Sequence, residues 1–213
     1  MSYFILDLNS REIHGLQIAD VWAEIAPFSL ADLGRAPHQN EVLALNGGAR
    51  RLVIPAGELE GVESGDAIER AFRSWGGDGK EVLDSGLRSA VEQCNQRGIE
   101  LIVWPRLHSI VSDIPGLLRV ARAHENVGIF LEPAALFPAN AGFRIDDFAA
   151  RLTEVAEMQS IRAVCVGSDP VAGYEESQVE AWIPLLHVAR KLEKPIVLRG
   201  EKPEMLASAL NSR

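Results

Sequence analysis

The side chains best suited to chemistry fall just after short apolar runs. Glu132 closes Val127-Gly128-Ile129-Phe130-Leu131, and Arg106 and His108 follow Leu101-Ile102-Val103-Trp104. Ser168 and Asp169 follow Ala163-Val164-Cys165-Val166, and Arg199 and Glu201 follow Pro195-Ile196-Val197-Leu198. An arginine forks onto a carboxylate or phosphate, and a tryptophan face stacks on a sugar ring or covers a pocket. Glu132 with His108 or Asp169 has the types for an acid–base pair. A plainer reading is also open. In it, Arg199 pairs structurally with Glu132 or Asp169, Trp104 fills space at the strand ends, and Glu132 marks an exit to solvent.

These residues act together only if the strands that carry them are parallel, because the C-terminal tips then share one edge. The pattern supports that. Four apolar runs of similar length, each followed by polar or turn residues, are expected of strands buried on both faces. Amphipathic helices separate them. Leu87, Ala90, Val91 and Cys94 form one stripe, with Gly98 placed to stop the helix. Asp113 can cap a helix with Pro115 in its first turn and Leu117, Leu118, Val120 and Ala121 within it. Phe148, Leu152 and Val155 form a third stripe behind Asp146 and Asp147. Val179, Ile183 and Leu186 form a fourth, in which Pro184 marks a kink or the true start. Pro203 opens a final helix through Leu210.

The first half is less regular. Tyr3–Leu8 and Leu52–Pro55 read as strands, and 17–25 reads as a strand or a strand-to-helix passage. The glycine-rich stretch 56–80 reads as an extended loop with one helical turn near 67–72. Seven or eight βα units result. They favour an α/β fold of the parallel (β/α) TIM-like barrel type, one domain over 1–213, rather than an open sheet. At 213 residues the barrel must be compact, with some elements short or missing, since a full one takes ~250 residues.

The net charge of −9, with no basic cluster, argues against nucleic-acid or anionic-membrane partners. No apolar run reaches a membrane span, and the N-terminus lacks the pattern of a signal peptide, so the expected location is cytoplasmic. Cys94 and Cys165 each lie in an apolar run and read as small buried hydrophobes. His14, His38, His124 and His187 have no metal-ligand spacing. Gly76-Gly77-Asp78-Gly79-Lys80 resembles a phosphate loop but lacks the earlier glycine, the following Ser or Thr and the preceding strand. No Gly-x-Ser-x-Gly elbow is present.

Three phrases carry a family resemblance. Glu125-Asn126-Val127-Gly128-Ile129-Phe130-Leu131-Glu132 is similar to the "NVG-apolar-apolar-D" strand of the xylose-isomerase-like barrel superfamily, which includes sugar phosphate isomerases and epimerases and endonuclease IV. Gln96-Arg97-Gly98-Ile99-Glu100-Leu101 resembles its "G-V-x-L" step from helix to strand, and Asn46-Gly47-Gly48-Ala49-Arg50-Arg51-Leu52-Val53 resembles its "LGA-x-x-L/V-V" step. The similarity spans roughly residues 42–200 and is one of spacing. It implies a barrel with a divalent-metal site at the strand tips. This chain departs from that site. Trp104 stands where the family has a metal-binding Glu, and an indole does not coordinate a hard cation. Ala135 replaces a His, the "V-H-x-x-D" step becomes Val164-Cys165-Val166-Gly167-Ser168 with Asp169 one place late, and Arg199 falls near the closing Glu. At most Glu132, Asp169 and Glu201 remain as oxygen ligands, so a divalent metal is possible but not favoured, and no other cofactor is expected.

The resemblance therefore implies a sugar phosphate isomerase/epimerase-like protein that lacks the metal site and binds a small polar, sugar-like ligand. Trp104, Arg106, Asp169, Arg199 and Glu201 are its candidate contacts. The alternative is an active isomerase or epimerase of a sugar or polyol, with Glu132 as base and His108 assisting, and Arg199 or Arg106 steadying the enediolate. A further alternative is a scaffold that assembles through Phe28, Leu30, Leu33 or Trp75.

Overall fold

Strand and helix alternate through the computed structural model, which describes residues 3–5, 23–35, 50–59, 73, 76–137, 144–167 and 183–199. The class is α/β with parallel strands. Two compact units divide the chain, one of residues 23–129 and one of 1–22 with 130–213.

The first unit holds β2 (Glu24–Ile25), α1 (Leu30–Arg35), β3 (Arg51–Pro55), α2 (Gly77–Arg97), β4 (Glu100–Trp104), α3 (Ile114–Ala123) and the start of β5 (Gly128–Leu131). Leu52, Val53 and Ile54 of β3 and Ile102 and Val103 of β4 are fully buried. That burial on both faces explains the unbroken apolar runs. The register is parallel throughout, with Glu24 opposite Leu52, Leu52 opposite Leu101, and Val103 opposite Ile129. Where β3 and β4 begin, Arg51 Nε meets Glu100 Oε2 at 3.1 Å across the ladder.

Helix α2 starts at Gly77, so residues 77–80 are helical and the reading of 56–80 as one extended loop is corrected there. Asp78 lies in the first turn, near the positive helix end, and Gly79 is buried. At the other end Gly98 takes the left-handed conformation, φ 66°, as expected of a C′ glycine. The buried stripe is Leu83, Leu87, Ala90 and Cys94, while Val91 sits at its edge. Helices α1 and α2 cross at two glycines. A Cβ on Gly34 would lie 2.1 Å from the Val82 carbonyl oxygen, and one on Gly86 would lie 2.2 Å from that of Leu30. Each glycine admits the other helix's backbone. Leu30 and Leu33 of α1 are consumed by this packing, at 0% and 3% exposure. They offer no apolar surface to a partner, contrary to the scaffold expectation. Phe28 is half-buried, and Trp75 lies outside the described residues.

Asp113 caps α3, its Oδ1 accepting the Gly116 N–H at 2.6 Å, and Leu117, Val120 and Ala121 form the buried face. Leu118 lies at its edge.

The second unit holds β1 (Tyr3–Ile5), the end of β5, α4 (Pro133–Leu136), α5 (Ile145–Ala156), β6 (Ile161–Gly167), α6 (Ile183–Lys191) and β7 (Ile196–Arg199). β7 lies between β1 and β6 and is parallel to both, with Tyr3 opposite Ile196 and Gly167 opposite Arg199. β6 neighbours β5. The helical crossover through α4 and α5 is the connection that parallel neighbours need. The buried side of α5 is Ala149, Leu152, Val155 and Ala156. Phe148 turns partly outward and meets Phe137 at a 5.5 Å centroid distance. Pro184 lies in the first turn of α6 as described, and Leu185, Leu186 and Ala189 are buried.

Lys194 binds the turn between α5 and β6. Its Nζ donates to the carbonyl oxygens of Met158, at 2.5 Å, and Ile161, at 3.0 Å. Burial, and secondarily the charge of Arg162, pushes its pKa below the usual lysine range. Residues 6–8, 17–22, 67–72 and 203–210, and Val179, carry element expectations that lie outside the described residues. Among the described residues no helix is long and apolar enough to cross a membrane.

Candidate functional site

In the first unit the β4 tip is built around one buried hydroxyl. Pro105 ends the strand, and the chain turns back through Arg106–Ser112. Ser109, 1% exposed, places its Oγ 2.6 Å from the Arg106 carbonyl oxygen and 2.8 Å from that of Val111. The same oxygen accepts the Val111 N–H at 3.2 Å. The Arg106 N–H also donates to the Val111 carbonyl at 3.2 Å. A side chain that satisfies several backbone groups of its own loop fixes that loop in one shape.

A second set of bonds ties this loop to the β3 tip. Ala56 N donates to Trp104 O at 3.0 Å, Ile110 N to Gly57 O at 2.9 Å, and Ala31 N to Ala56 O at 3.1 Å. Gly57 has φ +78°, and a Cβ there would lie 2.0 Å from Ser29 Oγ, so only glycine fits. Ser29 caps α1 in a reciprocal box. Its N–H and Oγ both donate to Asp32 Oδ2 at 2.7 Å, and Oγ accepts the Asp32 N–H at 3.2 Å.

This scaffold presents three of the sequence-derived candidates. Trp104 is 2% exposed, so its ring belongs to the floor of the tip. The Arg106 guanidinium lies over that ring, 4.9 Å from its centroid. Partly buried, Arg106 makes no ion pair and no side-chain hydrogen bond with any described residue. His108 is exposed and takes φ 63°, a left-handed conformation uncommon outside glycine.

In the second unit Glu132 leaves the end of β5 at the N-cap position of α4, and the Ala135 N–H donates to its backbone carbonyl at 3.2 Å. The residue is 1% exposed, and it is the one charged residue buried among the described residues. Burial of a carboxylate is costly unless partners compensate it, and Glu132 does engage a partner. Arg199 ends β7 opposite Gly167, the last residue of β6. With β6 between β5 and β7, the strands that Glu132 follows and Arg199 ends lie about two strand spacings apart, ~10 Å. Cys165 is fully buried within β6. Ser168, Asp169 and Glu201 lie outside the described residues.

Sequence reasoning missed Ser109 and Gly57. Gly57 had a signal, a glycine two residues past the end of a strand, whereas nothing around Ser109 marks its hydroxyl as the centre of the loop. Among the described residues no three His, Cys, Asp or Glu side chains gather as a metal-holding group. No family model matches the chain, and no curated protein is significantly similar to it.

Proposed function

We propose that this chain is a compact TIM-like barrel protein of the xylose-isomerase-like kind. On this reading it lacks the family's metal site and binds a small polar, sugar-like ligand at the C-terminal ends of its strands. The observation that carries the reading is Arg106, a partly buried cation braced on Trp104 with no acidic partner among the described residues. Where the resembled family holds a cation through a carboxylate, this chain offers an indole bearing a guanidinium. Such a group supplies positive charge and donors without a metal. A net charge of −9 is consistent with a small-molecule partner rather than a nucleic acid.

Calorimetric titration with sugars, polyols and their acidic and phosphorylated forms, in buffer with EDTA, tests the proposal. Binding that persists in EDTA and weakens in Arg106→Ala supports it. Binding that appears only with Mn²⁺, Zn²⁺ or Mg²⁺ refutes it.

The burial of Glu132 favours a second reading, an isomerase or epimerase that uses this carboxylate as its base. If Glu132→Gln leaves the interconversion of an active sugar unchanged, that reading fails.

A further inference from the structure

We infer that the ligand carries an oxyanion, a carboxylate or phosphate, gripped by the edge of Arg106. This rests on the ligand-binding reading above and names the chemical class of the ligand. A guanidinium has one kind of contact for each of its surfaces: its face stacks on aromatic rings, and its edge presents five N–H donors in a plane. The Arg106 guanidinium already contacts an aromatic ring, its Cζ lying 4.9 Å from the Trp104 centroid. The edge meets no acceptor among the described residues. The protein has 30 Asp and Glu against 21 Lys and Arg, so acidic partners are plentiful elsewhere in the chain. Arg51, Arg35 and Arg144 each lie within salt-bridge distance of one. Arg106 is partly buried and has none among the described residues.

The group is also held in place. Its backbone N–H and carbonyl are both bonded within the loop that Ser109 organises, and Ile110 ties that loop to Gly57. Contact with a buried indole restricts the side chain's rotamers, so less entropy is lost when an anion arrives. A planar, bidentate donor set fits a carboxylate or two oxygens of a phosphate, and a neutral hydroxyl takes only one of its bonds.

Titrations of the full chain with inorganic phosphate, gluconate, glucose 6-phosphate and glucose, at pH 7 in low salt, test this. Glucose 6-phosphate or gluconate is expected to bind at least tenfold more tightly than glucose. The better of the two identifies the oxyanion as phosphate or carboxylate, and inorganic phosphate competes only in the first case. Arg106→Met is expected to weaken the acidic ligand by about 10- to 100-fold, the span of one or two charge-assisted hydrogen bonds. Arg106→Lys, which keeps the charge but not the fork, is expected to fall between. Circular dichroism of each variant confirms that it is folded. Glucose binding as tightly as its acidic forms would overturn the oxyanion inference and leave the ligand-binding reading intact. Acidic ligands that bind Arg106→Met as well as wild type would overturn the assignment to this residue. Wild-type protein that binds none of the four compounds would overturn both.

Discussion

Alanine at Gly86 tests the closest approach in the first unit. The added Cβ would stand 2.2 Å from the Leu30 carbonyl oxygen, 3.0 Å from its carbon and 3.2 Å from Gly34 N. All three are main-chain atoms and cannot rotate aside. The first contact is more than 1 Å short of the ~3.5 Å at which such atoms pack, so α1 must move. Overpacking of this kind costs about 1–3 kcal/mol. Replacing a mid-helix glycine with alanine returns about 1 kcal/mol in propensity. The net expectation runs from no change to a loss of about 2 kcal/mol. Gly77→Ala is the internal control, because it lies in the same helix and its new Cβ meets nothing within 4 Å. There the expected change runs from nothing to a gain of about 1 kcal/mol. Urea unfolding followed by circular dichroism, with both variants measured beside wild type, reads the difference directly. If Gly86→Ala proves as stable as Gly77→Ala, the two helices do not cross through their glycines and the reasoning fails.

Four further outcomes follow from local burial and geometry. Burial pushes the Cys94 thiol up to about 11, so native protein is expected to resist iodoacetamide at pH 8 at this residue. Rapid labelling of its peptide, read by mass spectrometry, would contradict that. Since the unfolded thiol titrates near 9.0, the stabilising contribution of Cys94 is complete below that pH and declines as pH rises toward about 11. Cys94→Ala should flatten that part of the stability profile. Asp113→Ala removes the acceptor of the Gly116 N–H and is expected to cost about 1 kcal/mol by urea titration, with Asp113→Asn recovering most of it. The Lys194 pKa is lowered, so between its folded value and 10.5 the unfolded chain binds the extra proton and stability rises with pH. Lys194→Met should abolish that rise when wild type and variant are compared across alkaline pH.

Features that depend on neighbours in sequence were legible. Asp113 and Gly98 act as the caps their types suggest, because capping is settled within one helical turn. The apolar runs became strands within a residue or two of their expected ends, β6 being longer by two residues at its start and one at its end. Features decided by distant contacts were not legible. Gly76–Gly79 suggested a loop because glycine is a poor helix former, yet Gly79 is buried in the first turn of α2, where tertiary packing outweighs propensity. Val91, Leu118 and Phe148 were each assigned to a buried stripe and sit at its edge, since the facing surface, not the periodicity, sets how wide a stripe is covered. At the candidate site, the placement of Glu132 and Arg106 after strands was readable from their spacing. The stacking of Arg106 on Trp104 was not, because it depends on a loop closed by a serine whose role appears only in three dimensions.

The Ala56–Gly57 pair receives main-chain bonds from Ala31 and Ile110 and gives one to Trp104. Segments around residues 31, 56 and 104–110, remote along the chain, therefore meet at two consecutive residues. Closing such long intervals is slow relative to forming a helix. The arginine-bearing loop should thus acquire its final shape late in folding, after α1, β3 and β4 have assembled. A nascent chain that stops before residue 110 would hold neither the loop nor the stacked guanidinium.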